Sequence, residues 1–270
     1  MKKVVLISGA SAGIGKETAK VLLQTGYTVY GAARRTDQMK DLQLLGAKII
    51  TMDVANEDSM KSCIEEIIRN EDRIDILINN AGFGTFGSIE DVPMKTARYQ
   101  IEVNLFGLAR LTQLVLPFMR EQNSGKIVNI TSTGGKAAGP MGGWYHASKF
   151  AVEALSDSLR LEVKRFGIDV IIIEPGGVKT EWGNIAYGGL KEISGHTVYK
   201  PMVGILERLG EKAERNNVDP NVIAQLIKKS ITASKPKARY VAGYLAKPIL
   251  FMKKWLSDAM FDKLIMNQLK

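Results

Sequence analysis

At 270 residues, with 45% apolar and 24% charged side chains, the chain has the make-up of a soluble globular protein, which sets aside collagen-like, coiled-coil and disordered classes. One cysteine, Cys63, excludes an internal disulfide, and with two histidines it leaves too few ligands for a Cys/His zinc site, so a reducing cytoplasm and no metal are expected. Of the net charge of +9, residues 228–270 contribute ten basic against two acidic side chains, so the excess marks a local basic surface and not a coat for nucleic acid.

Near the N-terminus, Lys2 and Lys3 precede an apolar run that stops at Ser8-Gly9, too short for a signal peptide. No stretch approaches the roughly 20 apolar residues expected of a spanning helix. Hydrophobic periodicity predicts a strand at 4–8, a helix at 13–25 ended by Gly26, a strand at 27–33, a helix near 39–45, a strand at 47–52, a helix at 59–69 and a strand at 74–79. A long helix at 96–121, bent or ended near Pro117, leads to a strand at 126–131, a helix at 145–165 and a strand at 169–174. Continuous apolar strands such as Val170-Ile171-Ile172-Ile173, with helices between them, imply an α/β Rossmann-type doubly wound parallel sheet. Beyond Pro175 a Gly-rich loop is expected to about 196, then helices at 201–215 and from Asp219-Pro220, a short strand near Tyr240 and a helical tail over 247–269. With no linker or repeat, residues 1–270 read as one domain, with a substrate loop and helix at about 176–215 and a basic amphipathic tail at about 247–270.

The first strand runs into Gly9-Ala10-Ser11-Ala12-Gly13-Ile14-Gly15 at a helix start. Glycines allow a sharp turn and close approach to a pyrophosphate, and free N–H groups at the helix N-terminus attract anions. A nucleotide P-loop is excluded, because Glu17 stands where that motif has Ser or Thr. Arg34 and Arg35 end the second strand, where a guanidinium pairs with a ribose 2′-phosphate and an acid would bind a free 2′-hydroxyl, so NADP(H) is favoured over NAD(H). Asp53 can accept from an adenine amino group or punctuate a turn.

Tyr145 and Lys149, four residues apart, share one helix face. A neighbouring ammonium stabilises a phenolate and is expected to lower the Tyr145 pKa from its usual value of roughly 10. Ser132, beyond the fifth strand, can donate to a reacting oxygen. His146 points about 100° away from Tyr145 around the helix and is read as packed or solvated, and Cys63 as a small helix hydrophobe.

Ser8 to Gly15, Asp53-Val54, Asn79-Asn80-Ala81-Gly82, Val103-Asn104, Ser132, Tyr145-His146-Ala147-Ser148-Lys149 and Pro175-Gly176 together resemble the short-chain dehydrogenase/reductase family over nearly the whole chain. The resemblance implies that Tyr145 is the acid for carbonyl reduction and the base for alcohol oxidation, and that Ser132 polarises the substrate oxygen. It implies that Lys149 binds the nicotinamide ribose and lowers the Tyr145 pKa, and that Asn104 holds a proton-relaying water. It places Asn80, Ala81 and Gly82 beside the adenine ribose, and Pro175, Gly176, Val178 and Thr180 near the nicotinamide.

The substrate is expected where the irregular segments converge beyond the strand ends, carrying Phe83, Phe86, Met141, Trp144, Trp182, Tyr187, Leu190, Ile193 and Tyr199. Such a lining suits a bulky apolar carbonyl or alcohol, of steroid, retinoid or long-chain aldehyde type. The rivals are a 3-ketoacyl thioester reductase and a non-catalytic dinucleotide sensor. A homo-oligomer, dimer or tetramer, is expected. Ile249, Met252, Leu256, Met260 and Leu264 recur at helical spacing in the tail, which is expected to cover the cleft, meet a second subunit, touch an anionic membrane or dock on the core.

Overall fold

A computed structural model describes residues 2–269. The chain alternates strands and helices as β1 (Val4–Ser8), α1 (Gly13–Gln24), β2 (Thr28–Ala33), α2 (Lys40–Leu44), β3 (Lys48–Thr51), α3 (Glu57–Glu71), β4 (Ile76–Asn79), α4 (Met94–Ile101), α5 (Leu108–Glu121), β5 (Gly125–Ile130), α6 (Gly143–Val163) and β6 (Ile168–Pro175). It closes with α7 (Glu181–Ser194), α8 (Lys200–Asn216), α9 (Pro220–Thr232), β7 (Arg239–Ala242), α10 (Ala246–Trp255) and α11 (Asp258–Asn267). All strand pairs are parallel, in the order β3-β2-β1-β4-β5-β6-β7.

Period-two alternation divides the core between the two faces of this sheet. Along β1, Val4 and Leu6 pack with Ile64 and Ile67 of α3 and Leu111 and Val115 of α5, whereas Val5 and Ile7 pack with Ala19 and Leu22 of α1 and Ile223 and Ile227 of α9. The strand order reverses between β1 and β4, which opens a crevice at their carboxyl ends, where an open α/β sheet binds ligands.

Four sequence expectations need correction. The segment read as a Gly-rich loop contains α7: Thr180 caps it by accepting from Trp182 N at 3.3 Å, and Ala186 and Leu190 are fully buried, but Gly183, Gly188 and Gly189 dilute the periodicity. The tail is two helices, because Ser257 caps a new one, accepting from Met260 N at 3.4 Å. Pro117 does not end α5, which runs on to Glu121 with the proline on its exposed face. Finally, α4, a π-helical stretch at Glu102–Gly107 and α5 form a continuous 28-residue helix, Met94–Glu121, long and apolar enough by length and composition to cross a membrane. It serves as a core helix, with Leu108, Leu111, Val115 and Met119 buried against the sheet.

Candidate active site

The crevice is built first by hydrogen bonds that tie the ends of β1 and β4 together. Ser8 Oγ accepts from the backbone N–H groups of Asn80 and Ala81, both at 3.1 Å, while Asn80 Nδ2 donates to the carbonyls of Ser8 and Gly9, both at 3.0 Å. The turn after β1 needs glycine twice: Gly9 has φ of 69°, and a Cβ on Gly15 would collide with Asn80 Nδ2 and the Gly9 carbonyl. Helix α1 starts beyond this turn with Ala12 as a cap residue that offers no side-chain acceptor, and no acid stands in its first turn. Its free N–H groups therefore suit an anion.

A cavity of about 910 Å³ extends from this turn. Its wall gathers Gly9, Ser11, Ala12, Gly13, Ile14, Arg34, Arg35, Asp53, Val54, Asn80, Ala81, Gly82, Ser132, Tyr145, Lys149, Pro175, Gly176, Val178 and Thr180, residues far apart in sequence. Gly15 and Asn104 lie outside the lining. Arg34 donates from Nη1 to Tyr99 Oη at 2.9 Å and pairs with no carboxylate among the described residues, whereas Arg35 Nη2 bonds Glu181 Oε2 of α7 at 3.1 Å. Asp53 takes the turn-forming role, its Oδ1 accepting from Ala55 N at 3.0 Å.

Helix α6 carries Tyr145 and Lys149. The Tyr145 ring is enclosed by Trp182, Phe86 and His146, with centroids 5.1, 5.9 and 5.7 Å away. Burial pushes its pKa up to about 12, against a smaller downward pull from the Ser132 hydroxyl. One turn on, Lys149 Nζ donates to the Ile130 carbonyl at 2.9 Å, and burial pulls its pKa down to about 8, opposed by the negative charge of Glu153. The net shift of Tyr145 is thus upward and not downward in this geometry, with burial as its cause and no contribution from Lys149. Lys149 is itself desolvated and committed to a backbone carbonyl.

Asn104 sits in the π-helical stretch and is 1% exposed. Its Oδ1 accepts from Phe83 N at 3.0 Å, and its Nδ2 donates to Phe83 O at 2.8 Å and Ser148 Oγ at 3.0 Å. Ser148 Oγ in turn donates to the Tyr145 carbonyl at 2.7 Å. Both Asn104 amide hydrogens are therefore used in joining the loop after β4 to α6, while Oδ1 keeps one acceptor position. A Cβ on Gly82 would lie 3.2 Å from Asn104 Oδ1 and 3.6 Å from Lys149 Nζ, so these groups border one small space.

Three further groups support the site, and of these only Glu153 escaped the sequence reading. His146 is packed, accepting at Nε2 from Gly139 N at 3.1 Å, which leaves Nδ1 to donate to the Gly134 carbonyl at 3.0 Å, and burial holds its pKa below the usual value. It braces the loop after Ser132. Glu153, 3% exposed, accepts from Thr131 Oγ1 at 2.7 Å and from Arg239 Nε at 3.0 Å, and pairs with Lys136 at 3.0 Å, anchoring both sides of Ser132 to α6 and β7. The third is the tail: Ile249 of α10 and Phe261 and Ile265 of α11 roof the cavity. Of the expected substrate lining, Phe83, Phe86, Trp182 and Tyr187 are on the wall. Met141 and Leu190 instead pack with Val203 in a satellite core, Tyr199 bonds Glu90 Oε2 at 2.9 Å, and Trp144 and Ile193 stand off the wall. Irregular loops gave no period from which to read which side faces inward.

The sequence model described as short chain dehydrogenase matches residues 3–186, and the chain belongs to the short-chain dehydrogenase/reductase family of oxidoreductases, which use nicotinamide cofactors on carbonyl and alcohol groups of small molecules. It is 36% identical over 263 residues to 3-ketodihydrosphingosine reductase of Bacteroides thetaiotaomicron, covering 96% of this chain and 95% of that one. It is 32% identical to an NADPH-dependent 3-dehydrocapnine reductase of Ornithobacterium rhinotracheale, with 99% and 98% covered. Among solved structures, a short-chain dehydrogenase from Streptomyces avermitilis superposes with a TM-score of 0.84 at 31% identity, covering 98% of this chain and 96% of that one.

Proposed function

We propose that the protein is an NADPH-dependent reductase of a keto group on a long-chain lipid, of the type named by 3-ketodihydrosphingosine, a long-chain amino ketone. The observation that carries this reading is the apolar roof, drawn from α7, α8, α10 and α11, that shares one cavity with Tyr145 and the anion-binding turn. Two relatives named as reductases, matched over nearly their whole length, support it.

The residues fit the cofactor. The uncapped start of α1, with Gly9 to Gly15, would hold the pyrophosphate, and Arg34, free of any carboxylate among the described residues, the 2′-phosphate, with Arg35 beside it. Asp53-Val54 would flank the adenine, Asn80 to Gly82 its ribose, and Pro175 to Thr180 with Lys149 the nicotinamide end. When bound, the cofactor supplies the hydride. Tyr145, protonated throughout the neutral range, gives its proton to the carbonyl oxygen while Ser132 donates a hydrogen bond to that oxygen. Lys149, charged below about pH 8, stabilises the phenolate left behind, so this protonation pattern favours reduction at neutral pH. A cytoplasmic homo-oligomer belongs to the same reading, as Phe106, Phe150 and Leu161 leave apolar surface exposed along the α5 and α6 side.

The test is NADPH consumption with 3-ketodihydrosphingosine, steroids, ketoacyl thioesters and short ketones. The long-chain amino ketone should show the highest kcat/KM, and Tyr145→Phe should lower kcat by about a hundredfold or more while NADPH binding persists. A preference for thioesters or short polar ketones would refute the substrate assignment.

A further inference from the structure

We infer that helix α10 docks the protein on an anionic lipid surface. Lys247, Pro248, Phe251, Lys254 and Trp255 recur at helical spacing, and all five are exposed. This is one stripe, and it faces away from the cavity that Ile249 helps to roof and from the contact where Ala246 is buried. Phe251 and Trp255 are each 66% exposed, with ring centroids 6.4 Å apart, and Lys254 Nζ lies 5.1 Å over the Trp255 ring. Lys253 pairs with Asp258, but among the described residues neither Lys247 nor Lys254 has an acidic partner. Just beyond, α11 leaves Met260 58% exposed.

Aromatic rings framed by unpaired lysines match the boundary between headgroups and acyl chains, where the rings enter and the ammonium groups remain among the phosphates. The charge decides between occupants. The stripe carries Lys247 and Lys254 and no acidic side chain, which a bilayer of anionic lipid complements, whereas an isologous contact with a second copy would set these lysines against their own equivalents. Because α10 also roofs the cavity, docking would bring the cavity close to a pool of long-chain substrate. The docking itself follows from the exposed face, and only this last consequence rests on the proposed substrate.

The full-length protein is sedimented with phosphatidylcholine vesicles, with and without phosphatidylglycerol, at low and high salt. It should pellet with the anionic vesicles at low salt, bind neutral ones weakly and be released by salt. A lysine at an anionic surface strengthens partition about fivefold, so Lys247→Glu with Lys254→Glu should weaken it by about 25-fold or more. Phe251→Ser with Trp255→Ser should also weaken it, with mass in solution and turnover of a water-soluble ketone unchanged. Wild-type protein that stays in the supernatant, or variants that bind as it does, would overturn the proposal. A change in solution mass in the serine variant would overturn it too, giving the face to a second copy. Pelleting is read without substrate, so failure of the substrate assignment leaves this result standing.

Discussion

Replacing Lys149 by methionine should make the protein more stable and nearly inactive. The lysine is 7% exposed, and burial lowers its pKa from 10.5 to about 8. At roughly 1.4 kcal/mol per pKa unit, keeping it charged in the fold costs about 3 kcal/mol at pH 7. Methionine fills a similar volume without the charge but abandons the hydrogen bond to the Ile130 carbonyl, a loss of about 1–2 kcal/mol, so a net gain of about 1–2 kcal/mol remains. Between about pH 8 and 10.5 the folded lysine has released a proton that the unfolded one still binds, so wild-type stability climbs with pH across that window. Urea unfolding at pH 7 and pH 10 is the assay. The variant should lead at pH 7 and lose its lead by pH 10, while its reductase activity is lost at both. A variant less stable than wild type at pH 7, or a difference that does not change with pH, would refute the reasoning.

Arg34→Asp should weaken NADPH binding far more than NADH binding, because it removes a guanidinium without a carboxylate partner and places a like charge beside the 2′-phosphate; titration with each cofactor measures this, and equal losses would assign the residue to folding. Cys63, 1% exposed with its thiol pushed up to about 12 by burial and by Glu66, should resist iodoacetamide in the native protein and react once urea exposes it.

The sheet was legible in the sequence because strands buried on both faces are written as unbroken apolar runs, and helices between them as a period near four; β1, α1 and β6 came out within a residue or two for that reason. The turn at Gly9 to Gly15 and the Tyr145 and Lys149 pair were legible too, since each depends on spacing within one local element. Helix α7 was not, because its three glycines weaken the pattern and its buried Leu190 has meaning only against Met141 and against Val203 of α8. Nor was the ionisation of the site. From spacing, Lys149 lowers the Tyr145 pKa, but the closing of Phe86 and Trp182 over the ring makes desolvation the largest effect. The tail divides along the same line. Its amphipathic character is a property of its own sequence, whereas the choice of Ile249 and Phe261 to face the cavity, and of Phe251 and Trp255 to face solvent, was made by the helix break at Ser257 and by the shape of the cleft it covers. Local spacing determines which elements form, and burial, which depends on every neighbour at once, decides which of their groups can react.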